Sequence, residues 1–419
     1  MNTAISRRDW LTLTSAGLVG GASSGWFASL AAAADGSTKR GKSCILLWMN
    51  GGPSQQHTFD LKDGGEFRAI DTKAPGVRIS EHLPKLAEQM DSLALVRSMS
   101  TTEAVHERAR FLMHNGYRMS GAAAYPALGC IVSAELGRPE FELPNFVAID
   151  GGVDGNNAGG PFRSVPAHLG PQHAPLLVGD PARGVENLQP AVDRAAFDER
   201  AALLDKAEQR LLEQYGAEAI NAHRATYQKA VRLLHSNKAR AFEIDQESEA
   251  ARKMYGDSQF GKGCLLARRL VEFGVPFVEV TLGGWDDHGG AAGPIKKRSP
   301  ALDMGMAALL ADLKQRGLLE TTLVIWMGEF GRTPGNGNGH FAHAWTLAMG
   351  GCGLKTGQAV GRTDKSGKTV EEGKANAPDF IATVCQTLGI DFTQQFRTRD
   401  NRPVRLADKS AQPIKALFA

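Results

Sequence analysis

Six short apolar runs recur along the chain, at residues 44–49, 93–96, 146–149, 277–281, 322–327 and 346–349. Stretches of helical periodicity separate them. Runs this short, set between helical patterns, predict βαβ units around a mainly parallel sheet. The clearest helix precedes the fifth run, where Leu302, Met306, Leu309 and Leu313 fall on one face and Gly317 follows as a C-terminal cap. Residues 192–253 differ: they are rich in Ala, Glu, Lys, Arg and Gln, with Leu204, Leu211 and Tyr215 at helical spacing. They predict two or three helices inserted into the α/β domain as a solvated cap, because the apolar repeat is too short for a coiled coil.

The N-terminus follows another pattern. No charged residue occurs from Trp10 to Ala34, and Ser6-Arg7-Arg8-Asp9-Trp10-Leu11 before it resembles the twin-arginine export motif. Ala32-Ala33-Ala34 offers a small-residue cleavage site. The run contains many Gly, Ser and Thr residues, which favours a cleaved leader, residues 1–34, over a membrane anchor. Export through the twin-arginine machinery to the periplasm or the extracellular space is the expectation. About 385 residues then remain in 35–419, enough for one large domain.

Removing Arg7, Arg8 and Asp9 from the 48 basic and 45 acidic residues leaves 46 and 44. So even a balance argues against nucleic acid as a partner, since phosphate binding needs a concentrated basic surface. The five cysteines lack metal-type spacing and sit among apolar or small neighbours, as buried free thiols do.

Several loops carry groups capable of chemistry. Gly283-Gly284-Trp285-Asp286-Asp287-His288 follows the fourth run, and carboxylates and an imidazole at a strand end can bind a divalent metal or form a hydrogen-bonded cluster. The glycine-rich segment 150–161 also follows a strand, as a lid or a plain surface loop, and lacks a nucleotide-binding pattern. Ser54 in Gly51-Gly52-Pro53-Ser54 fails as a serine-hydrolase elbow because Gln56 stands where glycine is needed, so the glycines read as a tight turn.

Five stretches, in order, resemble a secreted bacterial family catalogued as domain of unknown function 1501. They are Leu46-Leu47-Trp48-Met49-Asn50-Gly51-Gly52-Pro53-Ser54 with Thr58-Phe59-Asp60, then Tyr125-Pro126-Ala127-Leu128-Gly129, Leu265-Leu266-Ala267-Arg268-Arg269-Leu270, Gly284-Trp285-Asp286-Asp287-His288 and Glu329-Phe330-Gly331-Arg332-Thr333-Pro334. The segment 302–357 also looks like the late core of the alkaline phosphatase and sulfatase superfamily. This resemblance implies an alkaline-phosphatase-like α/β core, a mainly parallel central sheet flanked by helices, with the helical insertion at 192–253.

It also implies a site. One divalent metal, Zn, Ca or Mn, would be held by Asp286 or Asp287, His288 and the late His343, with His340 as a further candidate. The second metal site of the superfamily is incomplete, because Asn50, Glu329 and Phe330 stand at its ligand positions and a phenyl ring cannot bind a metal. Glu329 could still ligate or could pair with Arg332, and a rearranged second site could recruit His57 or Asp60. Counting back ten from Gly116 places His106 at the sulfatase nucleophile position and Arg110 on that motif's arginine, with no Cys in the run. Formylglycine chemistry is thereby excluded. Thr101 and Thr102 remain as hydroxyl nucleophiles or helix caps, and Arg108 or Arg110 suits a phosphate or sulfate. The resemblance therefore implies a hydrolase of phosphate or sulfate esters, acting on an anionic ester from a polysaccharide or another phosphoester. A ligand-binding or cell-envelope protein on the same fold is the alternative.

Overall fold

The apolar runs become the inner strands of one eight-stranded sheet. In chain order its strands are β1 (Ser43–Met49), β2 (Ala94–Met99), β3 (Phe146–Asp150), β4 (Leu176–Val178), β5 (Phe277–Leu282), β6 (Thr322–Met327), β9 (Trp345–Gly350) and β10 (Gln358–Val360). A two-stranded ribbon, β7 (Gly331–Arg332) with β8 (His340–Phe341), stands between β6 and β9. Across the sheet the order is β10-β2-β9-β6-β1-β5-β3-β4. Every pairing is parallel except those of β9, which runs antiparallel to both β2 and β6. The computed structural model describes residues 41–119, 124–138, 140–150, 165–188, 190–215, 218–398 and 401–418. The leader and residues 151–161 of the glycine-rich segment lie outside them.

The central strands are buried on both faces and mostly apolar because both faces of the sheet are covered, with Glu279 and Thr281 as buried polar exceptions in β5. Successive side chains of β1 alternate between two cores: Cys44, Leu46 and Trp48 enter one, Ile45, Leu47 and Met49 the other. Helices Gln259–Glu272 and Ala292–Gln315 cover the second face, and Leu302, Met306, Leu309 and Leu313 are all buried there. Gly317, at φ +66°, takes the left-handed turn just past the end of that helix. Helices Leu128–Glu135 and Ala377–Leu388 cover the first face. Each fully buried Leu, Ile or Phe contributes about 1.5–3 kcal/mol, so the two cores fix the sheet and hence its strand ends.

Residues 192–253 hold two long helices, Arg194–Tyr215 and Glu218–His235, then a shorter one, Glu249–Tyr255. On the first of these Leu203, Leu211 and Tyr215 are exposed.

The edge strands β4 and β10 are absent from the sequence reading for a physical reason. Each has three residues and is only partly buried, so it leaves no apolar run. Among the described residues no helix is long and apolar enough to cross a membrane.

Candidate metal centre

Because β1, β2, β5 and β6 all point the same way, the segments after them share one edge of the sheet, where ligands gather in such folds. Gly51 follows β1, helix α1 (His106–Asn115) follows β2, Asp286 follows β5 and Glu329 follows β6.

Two glycines let these segments meet. A Cβ on Gly51 (φ +119°) would lie 2.4 Å from the backbone nitrogen of Asp286, and one on Gly52 (φ +82°) 2.5 Å from the Phe330 ring. No side chain fits at either place.

Arg332 locks the arrangement. Its fully buried guanidinium donates to the carbonyls of Gly52 at 2.9 Å, Asp287 at 2.9 Å and Trp285 at 3.0 Å, and also to Gly51. It further donates to Asp286 Oδ1 at 2.6 Å. The expected alternative pairing of Arg332 with Glu329 is therefore corrected: Arg332 is spent on the β1 and β5 loops. Glu329 instead accepts from the Gly51 amide at 3.1 Å, His106 Nδ1 at 2.7 Å and Arg110 Nε at 3.3 Å. Burial alone would raise the Glu329 carboxyl, but the His106 hydrogen bond and the Arg110 charge hold it below its ordinary range.

Three imidazoles converge on one carboxylate oxygen. From Asp286 Oδ1, His288 Nε2 lies at 2.9 Å, His106 Nε2 at 3.1 Å and His340 Nε2 at 3.2 Å. Ligand atoms of His106, Asp286 and His340 all fall within 4.8 Å of one another. Partial burial pushes the Asp286 carboxyl up, but the Arg332 hydrogen bond and the neighbouring histidines outweigh it and hold it well below the usual range.

Hydrogen bonds fix how two of these rings are protonated. His340 Nδ1 lies 2.8 Å from the Ala104 carbonyl, which can only accept, so that nitrogen carries a proton. His106 Nδ1 donates in the same way to Glu329. In their neutral forms both rings therefore turn a bare Nε2 lone pair toward an anion. His106 Nε2 is buried and makes no hydrogen bond, despite its 3.1 Å approach to Asp286. Lone pairs facing a carboxylate repel unless a proton or a cation lies among them. A divalent metal suits this set: imidazole and carboxylate donors, with Nδ1 atoms oriented by a carboxylate and a carbonyl as in known metal–histidine sites.

The other expected residues fall elsewhere. Asp287 gives both oxygens to Arg298, at 2.6 and 3.1 Å, and turns away from the cluster. His343 is exposed, set edge-on to Phe341, and does not reach the three histidines. The late histidine of the cluster is His340, because on ribbon β7–β8 it pairs opposite Arg332 and points with it toward Asp286. Spacing to the following apolar strand alone favours His343.

Thr102 is exposed and accepts from Arg118 at 2.5 Å. Helix α1 begins only at His106, after Val105, so neither Thr102 nor Thr101 caps it. His57 Nδ1 is 2.8 Å from the Ser54 hydroxyl, and Asp60 accepts from Thr363 at 2.6 Å and Lys62 at 3.0 Å. Neither joins a second site. Arg108 pairs with Glu103 at 3.2 Å on the surface, whereas Arg110 lies one turn beyond His106 on the same side of α1.

Phe330 is fully buried, its ring 4.7 Å from that of His340 and 4.9 Å from that of His106. It forms an apolar backing for both rings, together with Ala109 and Ala342.

The chain belongs to the family described as protein of unknown function (DUF1501), whose profile matches residues 41–418. Comparison with curated proteins gives no match. Among solved structures it is similar to the PsFucS1 sulfatase from Pseudoalteromonas sp., at 12% identity and TM-score 0.37, covering 87% of this chain and 70% of that one. It is similar too to the lipoteichoic acid synthase LtaP from Listeria monocytogenes, at 10% identity and TM-score 0.37, covering 84% and 73%. A magnesium-bound variant of TAB5 alkaline phosphatase gives 10% identity and TM-score 0.38, covering 85% and 100%. Likeness at this level does not carry their chemistry to this chain.

Proposed function

We propose that this protein is an exported metal-dependent hydrolase of phosphate or sulfate esters, with one divalent ion per chain held by His106, Asp286 and His340 and with His288 beside them. The supporting observation is the convergence of His106 Nε2 and His340 Nε2 on the Asp286 carboxylate, with each ring's Nδ1 held by an acceptor. A donor set of two or three imidazoles favours Zn over Ca or Mn, which prefer oxygen ligands. Bound there, such an ion supplies Lewis-acid polarisation of an ester oxygen or a more acidic water.

The chain's own groups supply the rest. Glu329 holds the His106 ring by its Nδ1 proton and keeps Nε2 aimed at the site. Arg110 is tethered through Nε to the same carboxylate, and among the described residues no hydrogen bond occupies its two Nη groups, which suit an anion's paired oxygens. Phe330, buried against the His106 and His340 rings, offers no donor to a second ion, which supports a stoichiometry of one.

Purified without chelator, the protein should carry one equivalent of metal, and the double variant His106→Ala/His340→Ala should carry none while staying folded. Undiminished metal in that variant would sink the assignment. Aryl phosphate and aryl sulfate hydrolysis, measured with and without chelator, then tests the activity. A second reading, a binding protein that retains the ion without turnover, draws on Thr102, a candidate nucleophile that is exposed and bonded to Arg118. Full metal occupancy with no hydrolysis of either ester would favour it.

Export through the twin-arginine route belongs to the same reading. Arg7→Lys/Arg8→Lys should leave an unprocessed precursor in the cytoplasm, and processing near Ala34 in that variant would refute the route.

A further inference from the structure

The ribbon β7–β8 has a second side. Side chains alternate along a strand, so while Arg332 and His340 face Asp286, the next residues, Thr333 and Phe341, line a separate open cavity of about 500 Å³. Its other walls come from the end of β2, at Ser100, and from the hairpin β11 (Arg362–Thr363) to β12 (Val370–Glu372) with the segment that follows.

Three cationic or titratable side chains border it: Lys368, Lys374 and His343. Both lysines sit on fixed backbone. The Asp364 carboxylate accepts the amide protons of Lys368 at 2.7 Å and Thr369 at 2.9 Å, which closes the turn that carries Lys368. Ala375, next to Lys374, is stapled to β2 by hydrogen bonds between its carbonyl and the Ser100 amide at 2.8 Å and between its amide and the Ser98 carbonyl at 3.0 Å. Neither lysine is paired with a carboxylate among the described residues. The nearby acids are committed elsewhere, Asp364 to its turn and Glu371 and Glu372 to Arg362. Phe341 adds a half-buried aromatic face, and Ser100 and Thr333 add hydroxyls.

We propose that this cavity is a binding subsite for an acidic sugar residue, sulfated or carboxylated, of an oligosaccharide substrate. Two ammonium groups on fixed backbone match an anionic substituent, the Phe341 ring offers a flat apolar surface to the C–H face of a pyranose, and the hydroxyls match its OH groups. The cavity shares a wall with the metal centre, so one chain of linked sugars can contact both. The link to a substrate rests on the ester-hydrolase reading above; the binding itself uses none of the metal-centre residues.

The test is calorimetric titration of the mature protein with a sulfated tetrasaccharide, its desulfated counterpart and inorganic sulfate. The sulfated sugar should bind most tightly. Lys368→Ala/Lys374→Ala should weaken it at least tenfold, and Phe341→Ala severalfold, with metal content and small aryl-ester turnover unchanged. Binding should survive chelation. Equal affinity for sulfated and desulfated sugars, equal affinity for inorganic sulfate, or full affinity in the double-lysine variant would each overturn the subsite. Loss of metal or turnover with sugar binding intact would count against the hydrolase reading alone.

Discussion

Two regions of this molecule concentrate charge, and they resolve it in opposite ways. Between helices Gln259–Glu272 and Ala292–Gln315, the fully buried Arg268 contacts Asp312 at 2.9 Å, Glu247 at 2.7 Å and Glu272. Arg316 meets Asp312 at 2.6 Å and Glu272 at 3.1 Å, Arg269 meets Glu247, and the Tyr255 hydroxyl donates to Asp312 at 3.0 Å. Three guanidinium groups face three carboxylates, and the charges balance. At Asp286 a single oxygen collects one guanidinium and three imidazole nitrogens, two of them in rings whose other nitrogen donates a hydrogen bond elsewhere. The first set is complete as it stands and does structural work. The second sets one guanidinium against one carboxylate and adds imidazole nitrogens around the same oxygen, an arrangement that suits a binding site more than a brace.

The largest expected effect breaks the closed network. Arg268→Met leaves the buried Asp312 and the half-buried Glu247 and Glu272 facing two cations, and removing one member of a buried ion cluster costs about 3–5 kcal/mol. Urea unfolding should show that loss, while the folded fraction keeps its metal. Acid sharpens the same point. Burial raises the Glu247 carboxyl, but Arg268 and Arg269 outweigh that and hold it below its ordinary value. Its contribution to stability is therefore complete above the unfolded pKa of about 4.3 and is lost as pH falls through the lower folded value. In the Arg268→Met protein the acid-unfolding midpoint should move to higher pH. An unchanged midpoint would mean that Glu247 draws its support from elsewhere.

Glu329→Gln should act at the other region, and less on stability than on binding. Glutamine keeps the shape but removes the charge that fixes the His106 ring, and losing such an outer partner typically costs about 10–100-fold in metal affinity. Competition against a chromophoric chelator measures it. Unaltered affinity would show that His106 is oriented without Glu329.

The same contrast explains what the sequence makes legible. The inner strands announce themselves because burial on both faces demands continuous apolar runs, whereas β4 and β10 are short and half-exposed and leave no such trace. Asp286, His288 and His106 were visible as polar residues at strand and helix ends in a superfamily order. The choice between His340 and His343 was not, because it depends on the register of a ribbon with two residues per strand. The roles of Arg332 and Glu329 were hidden for a related reason. Each is close in sequence to the other, but they take partners far along the chain, Gly51 and Gly52 at 281 and 280 residues from Arg332 and His106 at 223 from Glu329.

The smallest expected effect separates two neighbours. Asp286 and Asp287 are adjacent carboxylates of similar sequence context, yet one belongs to the open set and the other is closed by Arg298. Asp286→Asn should remove the metal, because an amide at the point where three imidazoles converge brings no charge to hold the ion. Asp287→Asn should leave one equivalent bound. It loses a two-pronged ion pair in which Arg298 is still partly exposed, and solvent screening keeps such a loss to roughly 1 kcal/mol. Metal analysis and urea unfolding of the two single variants, run side by side, give the answer. If Asp287→Asn also empties the site, its carboxylate must leave Arg298 to ligate the ion, and the division between closed and open charge would fail at the one place where both kinds meet in a single dipeptide.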